Sequence, residues 1–410
     1  MTASKPPVPV TGLGCLCAPG HSLDPVMEAL YSGQREPRPP RHIESDLEKV
    51  FPVFEIESDL VPEMSDLRHS PDFAALDWSV PPTRTNALAL LAATEALRQA
   101  GLDAESLRHR RVGVCVGTTV GCTLNDGPFY RAWRAGRFPG FDTLARYLNN
   151  NSGLYLARAL RASGPVATLA NACSSGADAI GQAQAWIRNG LCDVVVAGGA
   201  DELSHVTYVG FASLLITSPA PCRPFDRDRD GLNLGEGAGF VVLESDRSAA
   251  DRGAAPLAWA RGYATRADAH HPTAPHPEGR GLRGAIMAAL RDAGLTLEDV
   301  DFVNAHGTST PENDRVEGAL MMTLLRAGTP VVSTKAYTGH TLGAAGGIEA
   351  ALTVRALLDQ RLPATAGFET LDPDCGLTPT TANTPLSARV GMSTSLAFGG
   401  TNSVLLFSRF

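Results

Sequence analysis

One pattern occurs twice in this chain, and it constrains the fold more than any other feature. A helical repeat over Thr85 to Ala100 (Leu88, Leu91, Ala92, Ala96, Ala100) is closed by Gly101-Leu102. An apolar strand follows, Arg111 to Gly117, and runs into Thr118. Later, a helix over Gly281 to Ala293 is closed by Gly294-Leu295, and a strand over Val300 to Asn304 leads to Gly307-Thr308. Apolar residues at helical spacing mark one buried face, and a continuous apolar run marks a strand covered on both sides. Their recurrence predicts an α/β fold of two similar halves with two mainly buried sheets. At 410 residues the chain is long enough to bury such a core. The boundary falls between Ser245 and Ala255, so residues 1–250 and 251–410 are the expected units.

Further strands are expected at Val8 to Cys15, Pro165 to Ala170, Asp193 to Ala197 (ending in Gly198-Gly199), Phe240 to Glu244, Val331 to Thr334, Gly391 to Leu396 and Ser403 to Ser408. Helices are expected at His21 to Tyr31, Ser174 to Arg188, Glu312 to Arg326 and Gly343 to Leu358. Gln34 to Pro82, rich in Pro, Arg and acidic residues, reads as a surface excursion.

A net charge of −8 argues against a nucleic-acid partner, although a local basic patch would still accept an acidic carrier. The eight cysteines form no CxxC and no zinc-like cluster, so reduced thiols and no metal site are expected. The N-terminus lacks a signal-peptide apolar region, and no stretch is long enough to span a membrane. A cytoplasmic, globular protein is the expectation.

The chemistry gathers in three polar turns, each between a β-run and a helix-like segment. They hold Cys173 in Asn171-Ala172-Cys173-Ser174-Ser175-Gly176, His306 in Asn304 to Thr310, and His340 in Ser333 to His340. An isolated Ala-Cys-Ser is more often a buried small residue in a tight turn, and a lone His-Gly is more often structural. Three such turns in one chain shift the balance toward chemistry. A thiol at a strand-to-helix turn faces unpaired N–H groups and the positive end of the helix dipole, which favours thiolate. Such cysteines fall from ~8.5 to roughly 3.5–7.5 in pKa. A nucleophilic cysteine holds an acyl group as a thioester, and neutral histidines donate N–H bonds to an oxygen that becomes negative. The set suits enolate formation by decarboxylation. Lys335 would favour negative charge, and the turn Phe398-Gly399-Gly400 would aim an N–H at an oxyanion.

With these pieces in order along nearly the whole chain, the sequence resembles the β-ketoacyl-acyl carrier protein synthases. It looks closest to the elongating Cys-His-His branch of the condensing enzymes. The matching segments are Ala172 to Gly176, Arg223-Pro224-Phe225-Asp226 with Asp230-Gly231, Gly235 to Gly239, Ala305 to Thr310, Lys335 to Gly346, and Phe398 to Asn402. The resemblance implies the thiolase fold, duplicated halves in a five-layer α-β-α-β-α sandwich. It implies an acyltransferase that condenses an acyl group on Cys173 with malonyl-acyl carrier protein, giving a β-ketoacyl product two carbons longer. His306 and His340 would assist decarboxylation, with Lys335 organising His306. The N–H groups of Cys173 and Phe398 would form the oxyanion hole. The Phe398 side chain and Val120 would gate the acyl pocket, Thr308 and Thr310 would contact the pantetheine arm, and Glu349 would give structural support. No cofactor is expected on the enzyme, since the substrate rides on carrier phosphopantetheine. A homodimer, or a heterodimer with a related subunit, is implied.

Leu232-Asn233-Leu234 replaces the more usual Phe-Val-Met-like run before Gly235, and Asp268 to Gly279, Ser218 to Phe225 and Arg84-Thr85-Asn86 look like stand-alone synthases of aryl-polyene-type clusters. This leans toward polyketide or polyene synthesis over housekeeping fatty-acid elongation. Leu371 to Thr384 departs from the family pattern. Three other readings differ in kind. A chain-length-factor-like partner subunit usually lacks the nucleophile. A degradative thiolase would need a second cysteine near Phe398-Gly399-Gly400. An initiating or chalcone-synthase-like enzyme would carry Asn at the place of His340.

Overall fold

The computed structural model describes residues 5–43, 45–119, 121 and 127–409. Ten strands form one sheet, in the order β3-β2-β4-β5-β1-β6-β12-β11-β7-β8. The first half of the chain supplies β1 (Val8–Cys17), β2 (Val112–Gly117), β3 (Val166–Leu169), β4 (Val194–Asp201) and β5 (Gly237–Glu244). The second supplies β6 (Ala258–Ala267), β7 (Phe302–Asn304), β8 (Val331–Val332), β11 (Val390–Ala397) and β12 (Thr401–Ser408). β9 (Arg361–Leu362) and β10 (Thr384–Pro385) pair separately.

The two halves repeat each other strand for strand. β1 runs antiparallel to β5, as β6 does to β12. β2 lies parallel to β3 and β4, as β7 does to β8 and β11. The expected two sheets are therefore two five-stranded halves joined at a seam, Val8 to Val10 of β1 against Ala258 to Ala260 of β6.

Five layers follow from where the helices bury their apolar faces. Arg84–Gln99 covers the outer face of the first half with Leu88, Ala92, Ala96 and their neighbours. Arg280–Ala293 covers the outer face of the second with Leu282, Ile286 and Leu290. Ser175–Arg188 and Ala345–Asp359 lie between the halves, sharing one core with strands of both. The central layer is close-packed through glycine. A Cβ on Gly347 would sit 2.3 Å from the Gly239 carbonyl oxygen and 2.6 Å from the Gly199 nitrogen.

Three expectations need correction. β4 does not end at Gly198-Gly199 but continues to Asp201, because Ala200 and Asp201 go on pairing with Ala238 and Gly237 of β5. β6, which carries the seam, follows directly on the expected boundary and had no expected element. Gln34 to Pro82 is no mere excursion. It holds the helix Val61–His69 and buries Val53, Phe54, Ile56 and Phe73. Arg84 and Glu236 anchor it, through Arg84 bonds to the Ser58 and Ile56 carbonyls and an Arg84 Nε–Glu236 contact of 3.0 Å.

Candidate active site

The three polar turns meet at one cavity of about 360 Å³. Cys173, His306, His340, Phe398, Thr308 and Thr310 all line it. Cys173 stands between β3 and the helix Ser175–Arg188. The turn is tight because Ala172 adopts φ 47°, a left-handed conformation that costs an L-residue energy. Its carbonyl accepts from Ser175 Oγ at 2.6 Å. Asp178, one turn into the helix, accepts from Asn171 Nδ2 at 2.6 Å and Ser174 Oγ at 2.8 Å, which clamps both sides of the cysteine.

Burial pushes the Cys173 thiol up to about 12, against the Lys335 charge and the Phe398 N–H, which both favour the anion. This corrects the expected thiolate. The strand-to-helix turn is present, but a thiol 4% exposed loses more hydration than the turn returns. Burial therefore favours the neutral thiol over the thiolate.

His306 follows β7, and two buried chains of bonds fix it. Its N–H donates to Glu317 Oε1 at 2.9 Å, and the Gly307 N–H donates to Oε2 at 2.8 Å. Its Nδ1 lies 3.0 Å from Lys335 Nζ, and Lys335 is in turn ion-paired with Glu349. Burial pushes Glu349 up to about 7, while Lys335 draws it down. His340 Nδ1 accepts from the Leu342 N–H at 3.3 Å. Burial, then the Lys335 charge, hold both imidazoles well below the ordinary histidine value; for His306 the neighbouring His340 adds to this. Both rings are therefore neutral with Nδ1 used as an acceptor, which leaves the proton on Nε2. The rings stand edge to face, 5.2 Å apart.

Phe398 begins the turn between β11 and β12. Its ring stacks on Phe211 at 5.5 Å, and Phe211 meets His340 edge-on at 6.4 Å. Thr308 Oγ1 and Thr310 Oγ1 are 2.8 Å apart. Val120 lies outside the described residues. Among the described residues, no cluster of His, Cys, Asp or Glu is arranged to hold a metal ion, and no helix is long and apolar enough to cross a membrane.

Sequence reasoning missed Phe211, Asp178, Glu317 and Asp314. Asp314 accepts N–H bonds from Phe225 (2.7 Å) and Ser309 (3.1 Å), and burial pushes it up to about 6. A signal existed: Asp314 and Glu317 share a helix face with Val316, Leu320 and Met321, where an acid has to find donors.

Comparison with known proteins gives the family. Residues 5–249 match the family Beta-ketoacyl synthase, N-terminal domain, and residues 257–369 match its C-terminal domain. The chain is 38% identical over 343 residues to 3-oxoacyl-[acyl-carrier-protein] synthase 2 of Synechocystis sp., covering 78% of this chain and 80% of that one. It is 39% identical over 346 residues to the tetracenomycin polyketide synthase ketoacyl synthase alpha subunit of Streptomyces glaucescens, covering 80% and 81%. Among solved structures it is similar to the ishigamide ketosynthase/chain length factor (TM-score 0.90, 31% identity, 99% and 100% covered). It is also similar to a chain of the complex of the ketosynthase ApeO with its chain length factor ApeC from Xenorhabdus doucetiae (TM-score 0.82, 32% identity, 98% of each covered). The chain belongs to the β-ketoacyl synthase family and has its thiolase fold.

Proposed function

We propose that the chain is a decarboxylating condensing enzyme that works through Cys173, His306 and His340. The observation that carries this is the pair of imidazoles, each with Nδ1 engaged by a donor, in the same cavity as the buried thiol. In the first half-reaction Cys173 Sγ attacks the acyl thioester. A carbon–sulfur bond forms to Cys173, the bond to pantetheine sulfur breaks, and the thiol proton leaves on that sulfur. The N–H groups of Cys173 and Phe398 hold the oxyanion. In the second, malonyl-carrier loses carbon dioxide. The electron pair of the broken C–C bond becomes an enolate, whose oxygen accepts from the two Nε2–H groups. The enolate carbon attacks the acyl carbon, the Cys173 thioester breaks, and the sulfur takes up one proton.

Lys335 is a positioning residue for His306, and Glu349 supports Lys335. Thr308 and Thr310 would hold the pantetheine arm, and Phe398 would gate the acyl pocket together with Val120. Residues 1–250 and 251–410 act as the two functional halves. An acyl carrier protein is the partner that brings both substrates, and a dimer is the working form. The likeness to the tetracenomycin polyketide synthase subunit supports a polyketide-type product over a housekeeping fatty acid.

Intact mass after incubation with acyl-carrier and malonyl-carrier proteins tests this. Acyl mass on Cys173 and a ketoacyl product two carbons longer are expected. A folded protein that no acyl chain labels would refute it and favour the chain-length-factor reading.

A further inference from the structure

The two N–H groups assigned to the oxyanion come from different halves of the chain. Cys173 follows β3, and Phe398 follows β11. Their spacing is therefore set by whatever joins those halves behind the cavity, not by either turn alone. An oxyanion donor is effective only when it is aimed before the charge forms.

One carboxylate makes that joint. Asp178 is 6% exposed and lies in the first turn of the helix Ser175–Arg188. Its Oδ2 accepts from Asn171 Nδ2 and Ser174 Oγ of the nucleophile turn, at 2.6 and 2.8 Å. Its Oδ1 accepts from Tyr263 Oη of β6 at 2.8 Å and from Ser403 Oγ of β12. A carboxylate has about four acceptor sites and an amide oxygen about two, so only an acid takes all of these donors. Among the described residues no cation pairs with Asp178, so the hydroxyls and the amide replace the water it has lost.

β12 begins at Thr401, directly after Phe398-Gly399-Gly400. Thr401 Oγ1 adds a second link between the turns, a bond to Asn171 Oδ1 at 3.3 Å. Tyr263 is seated on the Asp178 helix at Gly181, where a Cβ would lie 2.3 Å from the ring. Burial and then the Asp178 charge push the Tyr263 phenol up, so it stays a donor. Asp178, Tyr263 and Ser403 do not line the cavity, so their effect on the reaction passes through other groups.

We propose that Asp178 is a positioning residue for acyl transfer, holding the Cys173 and Phe398 turns at the separation the oxyanion needs, with Tyr263 and Ser403 as its anchors in the second half of the chain. This rests on the proposed condensing activity. Decarboxylation draws instead on the two imidazoles, whose Nδ1 partners are Lys335 and Leu342.

The test is Tyr263→Phe/Ser403→Ala, which cuts Asp178 from the second half and leaves its bonds to the nucleophile turn. Single-turnover acylation by saturating acyl-carrier protein is read by intact mass, and decarboxylation by carbon dioxide release from malonyl-carrier protein. Deleting an oxyanion donor costs roughly a hundredfold or more, so misplacing one is expected to slow acylation about tenfold. Decarboxylation is expected to keep the wild-type rate. Tyr263→Phe alone keeps the ring's shape and covers the case in which the double variant does not fold; the same split is expected there at about threefold. Acylation at the wild-type rate in the variants overturns the proposal. An equal fall in both steps overturns it too, because it would make Asp178 a support of the whole site. Wild-type protein that takes no acyl group would instead refute the condensing activity, and the positioning role with it.

Discussion

Lys335→Met separates positioning from chemistry. Lys335 Nζ is the donor that keeps His306 Nδ1 occupied and so keeps the proton on Nε2, the atom that the proposed mechanism aims at the enolate oxygen. Removing it leaves a buried imidazole nitrogen without its charged partner. Hydrogen bonds to charged groups contribute about 1.5–3 kcal/mol, so decarboxylation should fall roughly 10–150-fold. The variant also strands Glu349, whose counter-charge is gone. Lys335→Met/Glu349→Gln removes that second burden and isolates the effect on His306. Carbon dioxide release from malonyl-carrier protein reads the step directly, and intact mass reads Cys173 acylation separately. Because Lys335 also favours the Cys173 anion, acylation should slow too, but by less than decarboxylation. Decarboxylation within threefold of wild type in the double variant would refute the idea that Lys335 sets the tautomer.

Three further outcomes are expected. Ala172→Gly relieves φ 47° and should raise stability to urea by about 0.5–1 kcal/mol after glycine's own entropy cost, while acylation of Cys173 slows because its turn is less fixed. Gly347→Ala places a Cβ 2.3 Å from a backbone oxygen, and overpacking at such a contact should cost ~3 kcal/mol or more in the same assay. Against the opposite limb supplied by the raised carboxyls of Glu95, Glu349 and Asp314, the two buried histidines give a limb on which stability falls as pH drops below ~6.5, where the unfolded chain's imidazoles take protons that His306 and His340 refuse. Each such histidine gives a slope of about 1.4 kcal/mol per pH unit, so His306→Asn/His340→Asn should flatten that limb in urea titrations run from pH 7 to 5.

The turns of Cys173, His306 and His340 were readable because each joins an apolar run to a helix-like one, and the run, glycine and polar residue are all local. β2, Val112–Gly117, was readable for the same reason, since all six of its residues are buried. β6 was not. Its burial alternates, and its polar residues Arg261, Thr265 and Arg266 hide a strand whose place is set by pairing with β12 and β1. The protonation state of Cys173 was misread from local features alone. A helix terminus is visible in the sequence, but the loss of hydration that outweighs it depends on what the rest of the chain packs over the thiol. Glu317 and Asp178 escaped notice because an acid in a helix reads as solvated until its donors are known.

Those acids explain how a site with strained loops stays in place. Four non-glycine residues with positive φ, Ala172, Phe225, Ser309 and Leu342, lie in or beside the loops that carry Cys173, His306 and His340. Each sits next to a fixed acceptor. Asp178 holds the Ala172 turn through Asn171 and Ser174, and Asp314 accepts the Phe225 and Ser309 N–H groups. His340 Nδ1 itself accepts from Leu342. Buried carboxylates that spend their lone pairs on backbone N–H groups hold loop geometry without placing a hydrogen-bond acceptor on the reactive nitrogens. The reactive faces of the imidazoles therefore stay free to donate. An electrostatic site that acts on a developing enolate needs donors already aimed and loops that do not reorganise, and this chain meets both needs with acids kept behind the loops.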